Sequence, residues 1–395
     1  MTDQRIYLDY NATTPVDPRV LAVMLPYFTE IFGNAASNDH EFGLEAKRAV
    51  DKAREQVAGL INASPDEIIF TSGATESDNI ALLGAVEKYA GKGDHIITCV
   101  TEHKAVLDTC KRLEKLGKRV TYLPVDRYGL VDPDAVRRAI TPQTILISIM
   151  AANNEIGTLA PLAEIGAIAR EHGVLFHSDA AQAFGHIPLD VQAMHIDLLS
   201  ISAHKVYGPK GIGALYRRRS NPRVLLEPLF YGGGHEKGIR SGTLNTPGIV
   251  GLGEAAAIAR QEMAAEDVCF RAWTEEMLAR LQAALGDVER NGHPTQRLPH
   301  KLNVYIPGVE SRALIVQLPD VAIATGSACT SASVAPSHVI AALGFGETRA
   351  HGSTRISVGR DTTDARIHQA TGRIIAATNH LRALAASHEL SGVIA

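Results

Sequence analysis

Long hydrophobic runs are missing from this 395-residue chain, and no stretch approaches the roughly 20 apolar residues that span a membrane. The opening residues, Met1-Thr-Asp-Gln-Arg-Ile-Tyr-Leu-Asp, lack both the apolar core of a signal peptide and the composition of a transit peptide. A cytoplasmic protein without membrane contact is therefore expected. Excess positive charge is missing too. With 39 Lys+Arg against 43 Asp+Glu, the formal charge of -4 provides no global field for nonspecific nucleic-acid binding, and no direct nucleic-acid contact is expected. Cysteine is scarce: Cys99, Cys110, Cys269 and Cys329 are too scattered to form a C-x-x-C metal or redox pair, so no resident metal is expected. Three familiar motifs fail as well. Gly208-Pro-Lys-Gly-Ile-Gly lacks the closing Lys-Ser or Lys-Thr of a phosphate loop, no G-x-G-x-x-G follows the first strand, and His235-Glu-Lys-Gly-Ile239 misses the last histidine of H-E-x-x-H. NTPase, dinucleotide and zinc-protease readings lose their support.

What is present is a large apolar supply, 45% of residues, with no internal repeat, low-complexity tract or long linker. Short runs rich in Ile, Val and Leu recur at Glu67 to Phe70, His95 to Val100, Arg119 to Leu123, Thr144 to Met150, Gly173 to His177, Ile196 to Ile201 and Ile212 to Tyr216. Segments of helical period separate most of them, among them Ile80 to Tyr89, Ala105 to Leu116 and Leu162 to His172. This order predicts an α/β fold with a mainly parallel sheet covered by helices, and ligands beyond the carboxyl ends of its strands. Upstream, Pro18 to Phe32 reads as one helix. Beyond Pro247 a long helix, about Ile249 to Leu285, leads into shorter elements: strands Lys301 to Ile306, Val321 to Ala324 and Ser353 to Ser357, and helices Ser311 to Leu318, Pro336 to Leu343 and Thr363 to Ala386. They predict a second, α+β unit, with the boundary near residue 255.

Four stretches carry chemistry. In Thr71-Ser-Gly-Ala-Thr-Glu-Ser77, a strand runs into a helix start whose free N–H groups suit a phosphate, although Thr75 and Asp78 also fit the spacing of a capping box. Asp179 ends an apolar strand and needs a partner, either a structural cation or a protonated ring nitrogen. Lys205 ends another such strand, in Ser202-Ala-His-Lys205. It pairs with a carboxylate, snorkels, or serves as an amine of lowered pKa suited to Schiff-base chemistry. Cys329 sits in Ala324-Thr-Gly-Ser-Ala-Cys-Thr-Ser-Ala-Ser-Val334, small residues with no apolar period, which predicts a mobile loop. About ten such residues let the midpoint travel on the order of 17 Å.

Together with Thr71-Ser-Gly-Ala-Thr-Glu-Ser-Asp-Asn79, Thr101-Glu-His-Lys-Ala-Val106, Asn153-Asn-Glu-Ile-Gly157, Asp179-Ala-Ala-Gln182, Gly232-Gly-Gly-His-Glu236, Arg240-Ser-Gly-Thr-Leu244 and Gly326-Ser-Ala-Cys-Thr-Ser-Ala-Ser333, these stretches resemble the motifs of pyridoxal-phosphate cysteine desulfurases, in the family's order and over nearly the whole chain. The Gly-Ser-Ala-Cys-Thr-Ser form is similar to group I, which feeds iron-sulfur cluster assembly, nitrogenase maturation, tRNA thiolation and DNA phosphorothioation. The resemblance implies the type I fold of these enzymes: a large domain, 15–255, with a mainly parallel seven-stranded sheet, and a small α+β domain, 1–14 and 256–395, that carries Cys329. It implies that Lys205 holds pyridoxal phosphate and moves the Cα proton, that Asp179 keeps the ring nitrogen protonated, that His103 stacks on the ring and serves the substrate thiol as acid-base, and that Gln182 bonds the ring hydroxyl. Ala74, Thr75, Ser202 and His204 would hold the phosphate, with Thr243 reaching it from the second subunit of a homodimer. Asn154 and Arg355 would hold the carboxylate of L-cysteine. Cys329 would take the sulfur as a persulfide, leaving alanine, and pass it to an acceptor protein; it is also a possible transient iron-sulfur ligand.

Ala35, Ala151, Ala152 and Ala181 depart from the usual pattern without removing any of these groups. The chain ends at Ala395, short of the scaffold-docking tail common in housekeeping relatives, so a dedicated acceptor stays open beside scaffold delivery. A selenocysteine lyase or related pyridoxal-phosphate enzyme, and behind it a non-catalytic interaction subunit, are the alternatives.

Overall fold

Proline and glycine punctuate the chain, and the elements between them follow the apolar pattern. The computed structural model describes residues 5–326 and 336–392. In order, the first part contains β1 (Ile6–Tyr7), α1 (Pro18–Met24), α2 (Pro26–Thr29), α3 (Glu41–Leu60), β2 (Ile68–Thr71), α4 (Ala74–Lys88), β3 (His95–Cys99), α5 (Lys104–Lys115), β4 (Arg119–Leu123), α6 (Pro133–Ala139), β5 (Thr144–Ser148), α7 (Leu162–His172), β6 (Leu175–Asp179), β7 (Leu198–Ser202) and β8 (Gly213–Arg217). Then follow α8 (Thr246–Leu285), β9 (Glu289–Asn291), β10 (Lys301–Tyr305), α9 (Ser311–Val316), β11 (Val321–Ala322), α10 (His338–Ala342), α11 (Gly346–His351), β12 (Ser353–Ser357) and α12 (Asp364–Gly392). The single helix expected over Pro18 to Phe32 is two. Pro26 has no N–H to donate and its ring crowds the preceding turn, so α1 stops and α2 restarts with proline at its first position. The unanticipated α6 has an ordinary start signal, with Asp132 accepting from Asp134 N–H and Pro133 following it.

The seven strands predicted from the apolar runs form one sheet in the order β2-β8-β7-β6-β5-β3-β4, parallel except for β8, which runs antiparallel to both neighbours. Every residue of β3, β5, β6 and β7 is buried, whereas edge strand β4 is half open. The two faces feed separate cores. Phe70, Ile97, Ile147, Phe176, Leu199 and Tyr216 pack with α1, α3, α7 and the start of α8, while their neighbours Ile69, Ile96, Leu146, Leu175, Leu198 and Leu215 pack with α4 and α5. That period of two, apolar on both sides, is why the strands read as continuous hydrophobic runs.

A smaller assembly lies beyond. Its sheets are β12-β10-β9, antiparallel, and β1-β11, parallel. Along α8 the core partner changes: Ile249 to Ala259 belong with the large sheet, Phe270 to Leu285 with Ile6, Leu8, Leu302, Val304 and Ile356. The carboxyl ends of β2, β6 and β7 all open toward this smaller assembly, where Arg355 of β12 meets them in a common cavity. No helix among the described residues is long and apolar enough to cross a membrane.

Candidate active site

A cavity of about 450 Å³ gathers residues from most of the chain's length. Of the sites named from sequence, Ala74, Thr75, His103, Asn154, Asp179, Gln182, Ser202, His204, Lys205 and Arg355 line it. Thr243 does not; it is exposed in the segment ahead of α8. Cys329 lies outside the described residues.

The anion end is built by α4. Gly73 is its N-cap and offers no side chain, so the N–H groups of the first turn point into the cavity uncapped. The capping box does not form: Asp78 is fully buried within the molecule, 3.5 Å from His177 Nε2. The turn is held from outside. Ser72 N–H donates to Glu76 Oε2 at 2.8 Å, and Glu76 pairs with Arg240 at 2.7 Å. A Cβ at Gly213 would meet Gly73 Cα at 2.6 Å, so β8 can start this close to the turn only with glycine there. Opposite stand Ser202 and His204, whose Nδ1 is 3.1 Å from Thr13 Oγ1. Burial and the nearby Lys205 and Lys210 push His204 down to about 4, so its ring is neutral.

Farther in, Asp179 ends β6 and accepts the Ala181 N–H at 2.8 Å. Burial, then the neighbouring Asp78, raises it to about 6, and no Lys or Arg pairs with it among the described residues. A buried carboxyl without a cation is a seat for one. His103 caps α5 by accepting the Ala105 N–H on Nδ1 at 3.2 Å, so the neutral ring carries its proton on Nε2. Lys205 follows β7 and its Nζ donates to the Asn11 and Ala12 carbonyls at 2.6 and 2.7 Å. Its own carbonyl accepts from Nε2 of buried His186 at 2.8 Å. At the other end Arg355, 1% exposed, donates Nη2 to Asp9 at 2.8 Å and Nη1 to the Asn154 carbonyl at 3.2 Å, while its Nε and Asn154 Oδ1 have no hydrogen-bond partner among the described residues. Those are orphaned buried polar atoms facing a cavity, which is what a ligand carboxylate answers.

Sequence reasoning missed the wall made by Asn11, Ala12 and Thr13. Their contribution is largely backbone carbonyl, which no residue type announces. It also missed how the Cys329 run is anchored. Gly326 lies against Glu155, where a Cβ would meet Oε2 at 3.0 Å, and Ser337 hydrogen-bonds the same carboxylate. His338 Nε2 is 3.1 Å from the Glu102 carbonyl. The described ends of the run thus lie against Glu155 and Glu102, the sequence neighbours of Asn154 and His103.

A family model, "Aminotransferase class-V", matches residues 6–369. The chain belongs to the class-V aminotransferase family. Within it, the chain is 56% identical over 365 residues to "Cysteine desulfurase IscS" of Anaeromyxobacter dehalogenans, covering 92% of this chain and 90% of the relative. Among solved structures, a "NifS-like protein" superimposes with TM-score 0.87 at 36% identity, covering 94% of this chain and 98% of that one. A structure titled "SspA in complex with cysteine" gives TM-score 0.77 at 40% identity, covering 89% and 98%. This class-V aminotransferase is of the group I cysteine desulfurase branch and depends on pyridoxal phosphate. The cavity fits that cofactor on its own terms: an uncapped helix start suits the phosphate, a buried carboxyl with no Lys or Arg partner among the described residues suits a ring nitrogen, and a lysine amine belongs to the same lining.

The same burial sets an acid limit for the cofactor-free enzyme. His177, His186 and His204 are each pushed to about 4, so between pH 6.5 and 4 the unfolded chain binds more protons and stability falls as the pH drops. Asp78, raised to about 7, Asp179 and Asp197, each raised to about 6, and Glu102, raised well above the usual range by burial, act oppositely, losing stability as the pH rises. With His95 and His300 also lowered by burial, five histidines stand against four carboxyls. The melting temperature of the apoprotein should peak near neutrality and fall toward pH 5; a curve still rising at pH 5 would show that the carboxyls dominate.

Proposed function

We propose that the protein moves sulfur from L-cysteine to Cys329 and hands it, as a persulfide, to an acceptor protein. The observation that carries this reading is that both described ends of the Cys329 run lie at Glu155, the neighbour of Asn154, Gly326 by close approach and Ser337 by a hydrogen bond. The bound pyridoxal phosphate supplies an electron sink for charge released at the substrate Cα. Arg355 and Asn154 hold the carboxylate, which fixes the Cα–H bond toward Lys205. The Lys205 amine takes that proton, and His103, with its proton on Nε2, serves the substrate thiol. The Cys329 thiolate then attacks the substrate sulfur. A sulfur-sulfur bond forms, the Cβ–S bond breaks, and its electron pair takes up a proton at Cβ to leave alanine, so that no outside oxidant or reductant is needed.

A homodimer is part of the proposal. It is supported by the exposure of Thr243 away from its own cavity and by exposed Phe28, Phe32, Phe42 and Tyr231. The acceptor we favour belongs to iron-sulfur cluster assembly, in keeping with relatives named IscS, ahead of tRNA thiolation or DNA phosphorothioation. Steady-state kinetics with Arg355→Gln test the substrate end. Losing a charged hydrogen-bond pair should raise KM for L-cysteine by about 10- to 100-fold with a smaller change in kcat. An unchanged KM in a variant that melts like the parent would remove Arg355 from substrate binding.

A further inference from the structure

One face of the β10-β12 sheet reads a single turn of the large sheet's side. Lys301 stands opposite Ser357 and Asn303 opposite Arg355, so alternate residues of both strands share that face. Three side chains each take one successive carbonyl: Lys301 Nζ donates to Asn153 at 2.9 Å, Arg355 Nη1 to Asn154 at 3.2 Å, and Asn303 Nδ2 to Glu155 at 3.1 Å. Lys301 is the odd member. It is 1% exposed, and no carboxylate pairs with it among the described residues. Burial, with Arg355 and Lys205 adding like charge, pushes its amine well below the usual lysine range. Such a lysine is costly to keep, so it needs a use that a methionine of similar volume cannot meet.

That use is visible in its second bond. Lys301 Nζ lies 3.5 Å from Gln182 Oε1, and on the other side Gln182 Nε2 donates to the Asn11 carbonyl at 3.3 Å. An amide flanked by a donor and an acceptor has only one satisfied orientation, and an amine has two N–H groups to give whether or not it is charged. We propose that Lys301 is a positioning residue for the cofactor site, donating to Gln182 from behind so that the amide N–H₂ faces the cavity, and pinning the turn that carries Asn154. Gln182 then presents a donor, not an acceptor, to the oxygen on the cofactor ring. This inference rests on the cavity being the pyridoxal-phosphate seat.

The test is a double-mutant cycle of Lys301→Met and Gln182→Ala, read by the equilibrium dissociation constant of pyridoxal phosphate from the full-length protein and by the absorbance maximum of the bound cofactor. Each single variant should weaken cofactor binding about 5- to 10-fold and move the absorbance maximum in the same direction. The double variant should do no more than Gln182→Ala alone. A Lys301→Met protein with unaltered affinity and spectrum, or a double variant whose loss is the product of the two single losses, overturns the role. Should Lys301→Met fail to fold, Lys301→Gln takes its place in the cycle and must show the same non-additivity. Wild-type protein that takes up no pyridoxal phosphate would instead refute the cavity assignment, so the two failures are told apart.

Discussion

Lys205→Ala should leave a folded protein that forms alanine from L-cysteine at least about 1,000-fold more slowly than the parent and loses its cofactor on desalting. The expectation follows from position. Lys205 is the amine that follows β7, lining the same cavity as the uncapped start of α4 and the Asp179 carboxyl, and its Nζ donates to the Asn11 and Ala12 carbonyls. In the proposed roles, removing it deletes both the attachment for the cofactor and the base for the Cα proton, two functions that no described neighbour duplicates. His204 is neutral and turned to Thr13, and Lys301 is engaged with Asn153 and Gln182. The fold should survive, because the side chain's hydrogen bonds to described residues include two backbone carbonyls that water can satisfy in the open cavity. Initial rates of alanine formation check it. A variant within ten-fold of the parent would place the base elsewhere.

Cys329→Ser should be as inactive in sulfur release, again by about 1,000-fold or more, for a different reason. A serine hydroxyl is a poor nucleophile toward sulfur, whereas every group that binds the cofactor and L-cysteine is retained. The two variants are thus separated by spectrum: Cys329→Ser should still change its absorbance when L-cysteine is added, and Lys205→Ala, stripped of cofactor, should not. A Cys329→Ser enzyme with parental turnover would mean direct elimination of sulfur, as in a lyase, and would revive that alternative.

The sheet could be read from the sequence because its strands are apolar on both faces, so Ile96-Ile97 and Leu198-Leu199 signal burial with no help from context. Local rules failed where another local rule overrode them, as at Pro26, or where the tertiary structure claimed the residue, as with Asp78, drawn into the interior beside His177 rather than left to cap α4. Asp179 and Lys205 were legible because a charged group that closes an apolar strand is chemically conspicuous, whereas His103, Asn154, Gln182 and Arg355 were named only through the family resemblance. Asn11 and Ala12 were not legible, since they act through carbonyls. Lys301 was not either: it lies 148 positions from the Asn153 carbonyl that it bonds, on a strand whose pattern says only that alternate residues face inward.

In the proposed reaction the sulfur of L-cysteine passes to Cys329. That transfer is tested most directly by a single-turnover reaction with sulfur-labelled L-cysteine in the absence of reductant, followed by peptide mass spectrometry and alanine quantification. One alanine per cofactor is expected, with one labelled sulfur on the peptide containing Cys329 and with Cys99, Cys110 and Cys269 unlabelled. Stoichiometric alanine with the label in solution or on another cysteine, and none on Cys329, would contradict it.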